Sequence, residues 1–242
     1  MVLDVGTGAG LIAFGALELV GSSGTVIFSD VSEELLEHCR ELARERDAES
    51  RCRFVLAPAE DLSVIPPRSV DVVTARSVLI YVRAKARALR EFHRVLRPGG
   101  RVSILEPINS YFRHEPGEWL GYDTGPIRDL MRKMETAYHW SEDDPGPMMG
   151  FGDRDLVRFA EEAGFRRVHL ELDVSVEPGT WVRSWNVLLE SSGNPLDPTF
   201  GEAMARTLTR DEARRVEEHL RPLVDSGRGT KRAALAYVRA SK

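Results

Sequence analysis

The stretch Val2-Leu3-Asp4-Val5-Gly6-Thr7-Gly8-Ala9-Gly10 constrains this chain more than any other. Its first four residues read as a buried parallel strand, and three glycines in five positions then break it into a tight turn. Leu11 to Val20 continues with apolar side chains at helical spacing. A strand, a glycine turn and a helix in that order bring open backbone N–H groups and the positive end of a helix dipole to one point, which suits a nucleotide-like ligand. Spacing narrows the choice. A dinucleotide turn wants G-x-G-x-x-G, but its third glycine would fall on Leu11, and the glycine here comes one place early, at Gly10. A ligand-free turn of the same shape is the plain alternative.

Taken in order, the chain repeats the strand-then-helix pattern. Thr25 to Ser29 is a second buried strand ending on Asp30, about 20 positions past the turn, where a carboxylate can accept from both hydroxyls of a ribose. The alternative is that Asp30 only begins the Asp-Val-Ser turn. Ser32 caps the next helix. Arg53 to Leu56 gives a third strand and Ser69 to Thr74 a fourth, announced by Pro66-Pro67. Lys85 to Leu96 is an amphipathic helix stopped by Arg97-Pro98-Gly99-Gly100, and Arg101 to Glu106 forms strand five. Residues 107 to 150 leave the pattern. Asp153 to Ala163 is a helix closed by Gly164, and Phe165 to Ser175 is strand six. Two capping boxes, Thr199 to Glu202 and Thr209 to Glu212, open helices before a last strand over Lys231 to Arg239.

Val2 to Gly10 resembles the first motif of class I S-adenosylmethionine-dependent methyltransferases. Asp30 at the second strand's end, Ala57-Pro-Ala-Glu-Asp-Leu62 and Arg94-Val-Leu-Arg-Pro-Gly-Gly100 resemble that family's later motifs in the same order, covering residues 2 to 106. The resemblance is to the small-molecule, quinone-biosynthesis type. It implies an α/β fold, a Rossmann-like doubly wound seven-stranded, mostly parallel sheet with an antiparallel last strand and helical insertions. It also implies S-adenosyl-L-methionine as cofactor, bound by Asp4, Gly6, Thr7, Gly8, Gly10, Asp30, Val31, Ala59, Glu60, Asp61, Arg76 and Ser77. The Arg94 to Gly100 string carries a structural role.

The expected organisation is a single methyltransferase domain over residues 1–242. It comprises a cofactor-binding half (1–106), a lid insertion (107–150), helix and strand six (151–177), a helical insertion (178–229) and the last strand (230–242). Family members usually have helices before the first strand, so the reading frame is expected to continue upstream of Met1; the alternatives are that residues 107 to 150 and 178 to 229 take over the lid or that a second subunit provides it. Glu118 to Tyr122 echoes a string of protein arginine methyltransferases but follows the wrong strand. The segment after strand four lacks the Asn/Asp-Pro-Pro-Tyr string of amino-group base methyltransferases and the Pro-Cys of cytosine C5 enzymes.

A sulfonium methyl is already activated, so the reaction gains mainly from orientation, and a base matters only for a nucleophile that is protonated at neutral pH. The candidates are His139, His114 and Tyr81, with Tyr138 beside them, and each reads equally as an aromatic lid residue. His93 reads as a packing residue. The rings Tyr111, Phe112, Trp119, Tyr138, Trp140, Trp181 and Trp185 point to a small apolar or aromatic acceptor, unless they form the insertions' own core.

A net charge of −5 gives no basic footprint for nucleic acid. Cys39 and Cys52 have no metal-ligand spacing, so no metal is expected and a reducing compartment is. Without an apolar run of membrane length, the expectation is a cytoplasmic protein, monomer or homodimer, with no membrane partner. The competing functions are a non-catalytic binding or assembly module on the same fold, a protein or RNA methyltransferase, and aminopropyl transfer.

Overall fold

The computed structural model describes residues 1–112, 117–138, 146–193 and 197–242, which form two compact units. The first comprises Met1–Ile108, Phe151–Asp173 and Leu235–Lys242; the second comprises Asn109–Gly150 and Val174–Ala234.

The first unit is built on β1 (Val2–Val5), α1 (Leu11–Leu19), β2 (Val26–Asp30), α2 (Glu33–Glu45), β3 (Cys52–Leu56), β4 (Val70–Arg76), α3 (Lys85–Val95) and β5 (Leu96–Pro107). Every residue of β1 and β2 is buried, as expected of strands covered on both faces. After the second unit's β6 (Glu118–Trp119), β7 (Tyr122–Asp123), α4 (Arg128–Glu135) and α5 (Gly146–Met149), the chain makes α6 (Asp153–Glu162) and β8 (Arg166–Pro178). It then forms α7 (Trp185–Glu190), α8 (Phe200–Thr207), α9 (Arg210–Ser226) and β9 (Thr230–Ser241).

The sheet has seven strands in the order β3-β2-β1-β4-β5-β9-β8. β1 to β5 pair in parallel, and β9 runs antiparallel to β5, with Leu105 opposite Tyr237. This is the doubly wound architecture expected from the motifs. Because β2 lies on one side of β1 and β4 on the other, the carboxyl ends of β1 and β4 flank a topological switch point, where such sheets bind ligands.

On one face α1 and α2 bury Phe14, Leu17, Leu36 and Cys39 against Val2, Val26 and Phe28, with the Phe14 and Phe28 rings edge to face at 5.0 Å. Leu3, Ile27 and Val73 alternate onto the other side and are buried as completely. Beside α1, Ile12, Thr74, Leu105, Tyr237 and Arg239 line an open cleft of about 420 Å³.

The helix stop expected at Arg97–Gly100 takes another form. α3 does end at Val95, but Leu96 already pairs with Val70 and Arg101 with Val72, so residues 97–100 bulge out of the ladder inside β5. Gly99, at φ +80°, donates its N–H to Lys242 O at 3.2 Å, and Lys242 N–H donates to Gly100 O at 2.9 Å. The chain's last residue therefore holds the bulge.

The second unit has an aromatic core of its own. Tyr122, Trp185, Leu188, Phe200 and Leu220 are buried together, and Trp119 stacks on Phe200 at 4.7 Å. Both expected capping boxes form: Thr199 with Glu202 at the head of α8, and Thr209 with Glu212 at the head of α9. Glu118 to Tyr122 is a tight hairpin whose two-residue turn, Leu120-Gly121, has φ of +50° and +86°, the primed turn that matches strand twist. A Cβ on Gly121 would stand 2.1 Å from Thr230 O, so only glycine fits there. Tyr122 buries its ring and donates its hydroxyl to Val182 O.

Candidate active site

The glycine turn leaves β1 at the switch point, and its three glycines have different physical reasons. Gly6 (φ +63°) lies against Val78, whose Cγ2 would be 2.4 Å from an added Cβ; Gly10 (φ +83°) lies against Phe14, 2.6 Å from an added Cβ. Those two positions are closed by the protein itself. Gly8, at φ +54°, faces nothing within 4 Å, so the space over it is free for a ligand. α1 begins at Leu11 after Gly10, which supplies no side-chain cap, and has no acid of its own in the first turn; the buried carboxylate of Asp4, from β1, meets this end by accepting from Ala13 N–H.

Two carboxylates frame the turn. Asp4, one of the expected cofactor residues, lies beneath it, 2 % exposed. It accepts from Thr7 Oγ1 at 2.8 Å, Thr74 Oγ1 at 2.6 Å and the Ala13 N–H, so it ties β1, β4 and α1 together. Burial raises its pKa, and these three hydrogen bonds act against that rise. Asp30 closes β2, accepting from Gly8 N–H at 2.8 Å and Ser32 N–H at 3.0 Å. Each of its oxygens keeps a lone pair for an incoming hydroxyl. Val31 next to it is 71 % exposed, a large apolar side chain open to a ligand's flat face.

The remaining expected residues come from the loops after β3 and β4. Ala59 is buried and Glu60 half-buried. Asp61 is exposed and holds its own turn by accepting from Ser63 N–H at 3.1 Å; the Ser63 hydrogen bonds lower its pKa. That loop is anchored from α3, because Glu91 accepts from Leu62 N–H at 2.8 Å and Arg94 donates to the carbonyls of Leu62 and Ile65. This gives Arg94, in the string with a structural role, its task. Arg76 is exposed at the end of β4, and Ser77 follows in the left-handed region at φ +54°, its N–H donating to Leu105 O at 2.8 Å. Tyr81 is 51 % exposed. His114 and His139 lie outside the described residues, as does Trp140.

Two residues escaped the sequence reading. Glu106, at the end of β5, is fully buried and accepts from the N–H groups of Val78, Leu79 and Ile80. Lys85, 5 % exposed, donates to Val82 O at 2.8 Å and lies over the Phe151 ring at 4.4 Å. A charged residue closing an apolar strand was the available signal for Glu106. Nothing in the helical pattern distinguishes Lys85 from a surface lysine. His93 packs edge-on to Phe165 at 5.1 Å, and burial lowers its pKa, consistent with a packing role.

The sheet order, the open space over Gly8 and the carboxylate of Asp30 beside it match the arrangement expected of class I S-adenosylmethionine-dependent methyltransferases. The chain belongs to the methyltransferase-domain family, whose profile matches residues 1–142. It is 39 % identical over 105 residues to the ubiquinone/menaquinone biosynthesis C-methyltransferase UbiE of Azotobacter vinelandii, covering 43 % of this chain and 41 % of that one. The same-named protein of Vibrio campbellii is 37 % identical over 165 residues, covering 67 % of this chain and 56 % of that one. The chain thus spans about half the length of the curated relatives it matches. The S-adenosylmethionine-dependent methyltransferase of Mesorhizobium loti shares the fold, with a TM-score of 0.52 at 17 % identity over 100 % of this chain and 90 % of that one.

Proposed function

We propose that the chain transfers a methyl group from S-adenosylmethionine to a nucleophilic carbon, oxygen or nitrogen of a small apolar or aromatic molecule, with a ring carbon of a quinone precursor as the first acceptor to test. The open cradle over Gly8, beside Asp30, carries the cofactor half of this reading. The similarity to the UbiE C-methyltransferases of ubiquinone and menaquinone biosynthesis supports the acceptor half. Gly6, Thr7, Gly8 and Gly10 cradle the methionine part, Asp30 accepts from the ribose, and Val31 with Ala59, Glu60 and Asp61 borders the adenine. Arg76 and Ser77 border the cofactor where it meets the acceptor, with Tyr81 beyond them. Asp4 shapes the turn from below.

When bound, the cofactor supplies a methyl on a positively charged sulfur. The protein's part is to bind it, orient it and exclude water, so that the nucleophile reaches the methyl in line at roughly 3–3.5 Å. Of the base candidates Tyr81, His114 and His139, Tyr81 is exposed beside the β4 end.

In this reading the whole chain serves as one methyltransferase domain, monomer or homodimer, working in the cytoplasm without nucleic acid. The net charge of −5 supports the last point. Among the described residues, no helix is long and apolar enough to cross a membrane. The test is incubation with methyl-labelled cofactor and a set of quinone precursors carrying an open ring carbon. Label in the precursor supports the reading; label only in protein or RNA refutes it.

A further inference from the structure

Glu106 stands at the carboxyl end of β5 with no exposed surface. Its Oε1 accepts from Val78 N–H at 2.9 Å and Leu79 N–H at 2.8 Å, and its Oε2 from Ile80 N–H at 3.0 Å. Three consecutive N–H groups converging on one buried carboxylate hold a single-turn helix, Leu79–Tyr81, in place from below. The strap begins with Ser77, held in the left-handed region and tied to Leu105 O. It ends where Lys85 Nζ donates to Val82 O. Within it, Val78 presses its methyls against Gly6, so close that a Cβ there would meet Cγ2 at 2.4 Å. A continuous mechanical path therefore runs from the β5 carboxylate, through three amides and one valine side chain, to the glycine turn.

We propose that Glu106 is a positioning residue: it holds Val78 against Gly6 and so sets the gap between the glycine turn and the Arg76–Tyr81 segment, where the reactive end of S-adenosylmethionine is bound. This rests on the cofactor reading given above. The geometry differs from that of an ordinary buried acid, because all three donors belong to one loop and that loop touches the turn. Burial pushes the Glu106 carboxyl up to about 7, against the pull of the three N–H groups and of Lys85. The charges around it are Lys85 on α3, which itself feels Arg83 and Asp155 of α6. Protonation of Glu106 takes a lone pair from the amides, so the strap is held best above neutral pH.

Calorimetric titration of S-adenosylhomocysteine into the full chain between pH 6 and pH 8 tests this, with Glu106→Gln alongside. The wild-type dissociation constant should rise several-fold as pH falls through this window. Glu106→Gln should bind about tenfold more weakly at pH 8, the scale of one lost charge-assisted hydrogen bond, with no dependence on pH. A merely structural acid would lower the melting temperature and leave the pH profile of binding flat. Tight wild-type binding that is constant across the window overturns the proposal even if the variant fails to fold, as does a folded Glu106→Gln that binds like wild type. Absence of any wild-type binding overturns the cofactor reading itself and the inference with it.

Discussion

The two units reach a folded core by different means. In the sheet unit the weight falls on backbone geometry, with glycines whose conformation or clearance excludes other residues and acids whose partners are N–H groups. In the second unit the weight falls on large rings, with Tyr122, Trp185 and Phe200 filling the centre and Trp119 stacked at its edge. The first arrangement shapes a space, and the second fills one. The aromatic residues of the insertions accordingly divide. Trp119 and Trp185 serve the unit's core, with Tyr138 packed against it. Tyr111 and Trp181, 50 % and 55 % exposed, lie outside that core.

This contrast is sharpest in its response to substitution. Trp185→Ala should have the largest effect, about 3–5 kcal/mol of lost stability from the cavity it leaves. Urea unfolding measures that loss. Calorimetry with S-adenosylhomocysteine should show the sheet unit binding as before, and a parallel loss of affinity would break the separation between space-shaping and space-filling regions.

Within the turn, Gly6→Ala should cost roughly 2–4 kcal/mol, combining the left-handed backbone penalty with a clash against Val78. Gly8→Ala has the same backbone conformation but open space. It should cost only about 1–2 kcal/mol of stability while weakening cofactor binding more than its stability loss suggests. Thermal melts of the two variants with and without cofactor separate the two effects. Equal stability losses would remove the distinction between a closed and an open glycine.

The smallest effect belongs to the second unit's surface. Lys133 donates to both oxygens of Glu212 at 2.9 and 2.7 Å and is the main reason that acid is held down to about 2, but the pair is solvent-exposed. Lys133→Ala should shift the melting temperature very little at neutral pH. A depressed carboxylate contributes above its ordinary range and loses that contribution as pH falls towards 2, so the variant and the wild type should converge in acid.

How far each region was legible follows from the same contrast. The motifs that encode backbone geometry, Gly6 to Gly10, Asp30 at a strand end and the Thr-x-x-Glu boxes, act over a few neighbouring residues and can be read directly. Their positions, the seven-stranded mostly parallel sheet and the antiparallel β9 agree with the expectation from the sequence. What the pattern hid depends on distant partners. Glu106 finds its amides 26 to 28 residues away, and Lys242 secures the β5 bulge from the far end of the chain. The Arg97–Gly100 segment has the composition of a turn, and only its pairing with β4 shows that it interrupts a strand already under way. The short hairpin at Leu120-Gly121 was obscured because leucine is unusual at positive φ.

The central claim is that the glycine turn cradles the methionine part of S-adenosylmethionine and that Asp30 holds its ribose. Its most direct test is calorimetric titration of S-adenosylhomocysteine into the wild type and Asp30→Ala, with circular dichroism confirming that both are folded. The expected result is a single site in the wild type and a loss of about 1–3 kcal/mol in the variant, since two ribose hydroxyls lose their charged acceptor. An affinity unchanged in folded Asp30→Ala would contradict the claim and remove this carboxylate from the site.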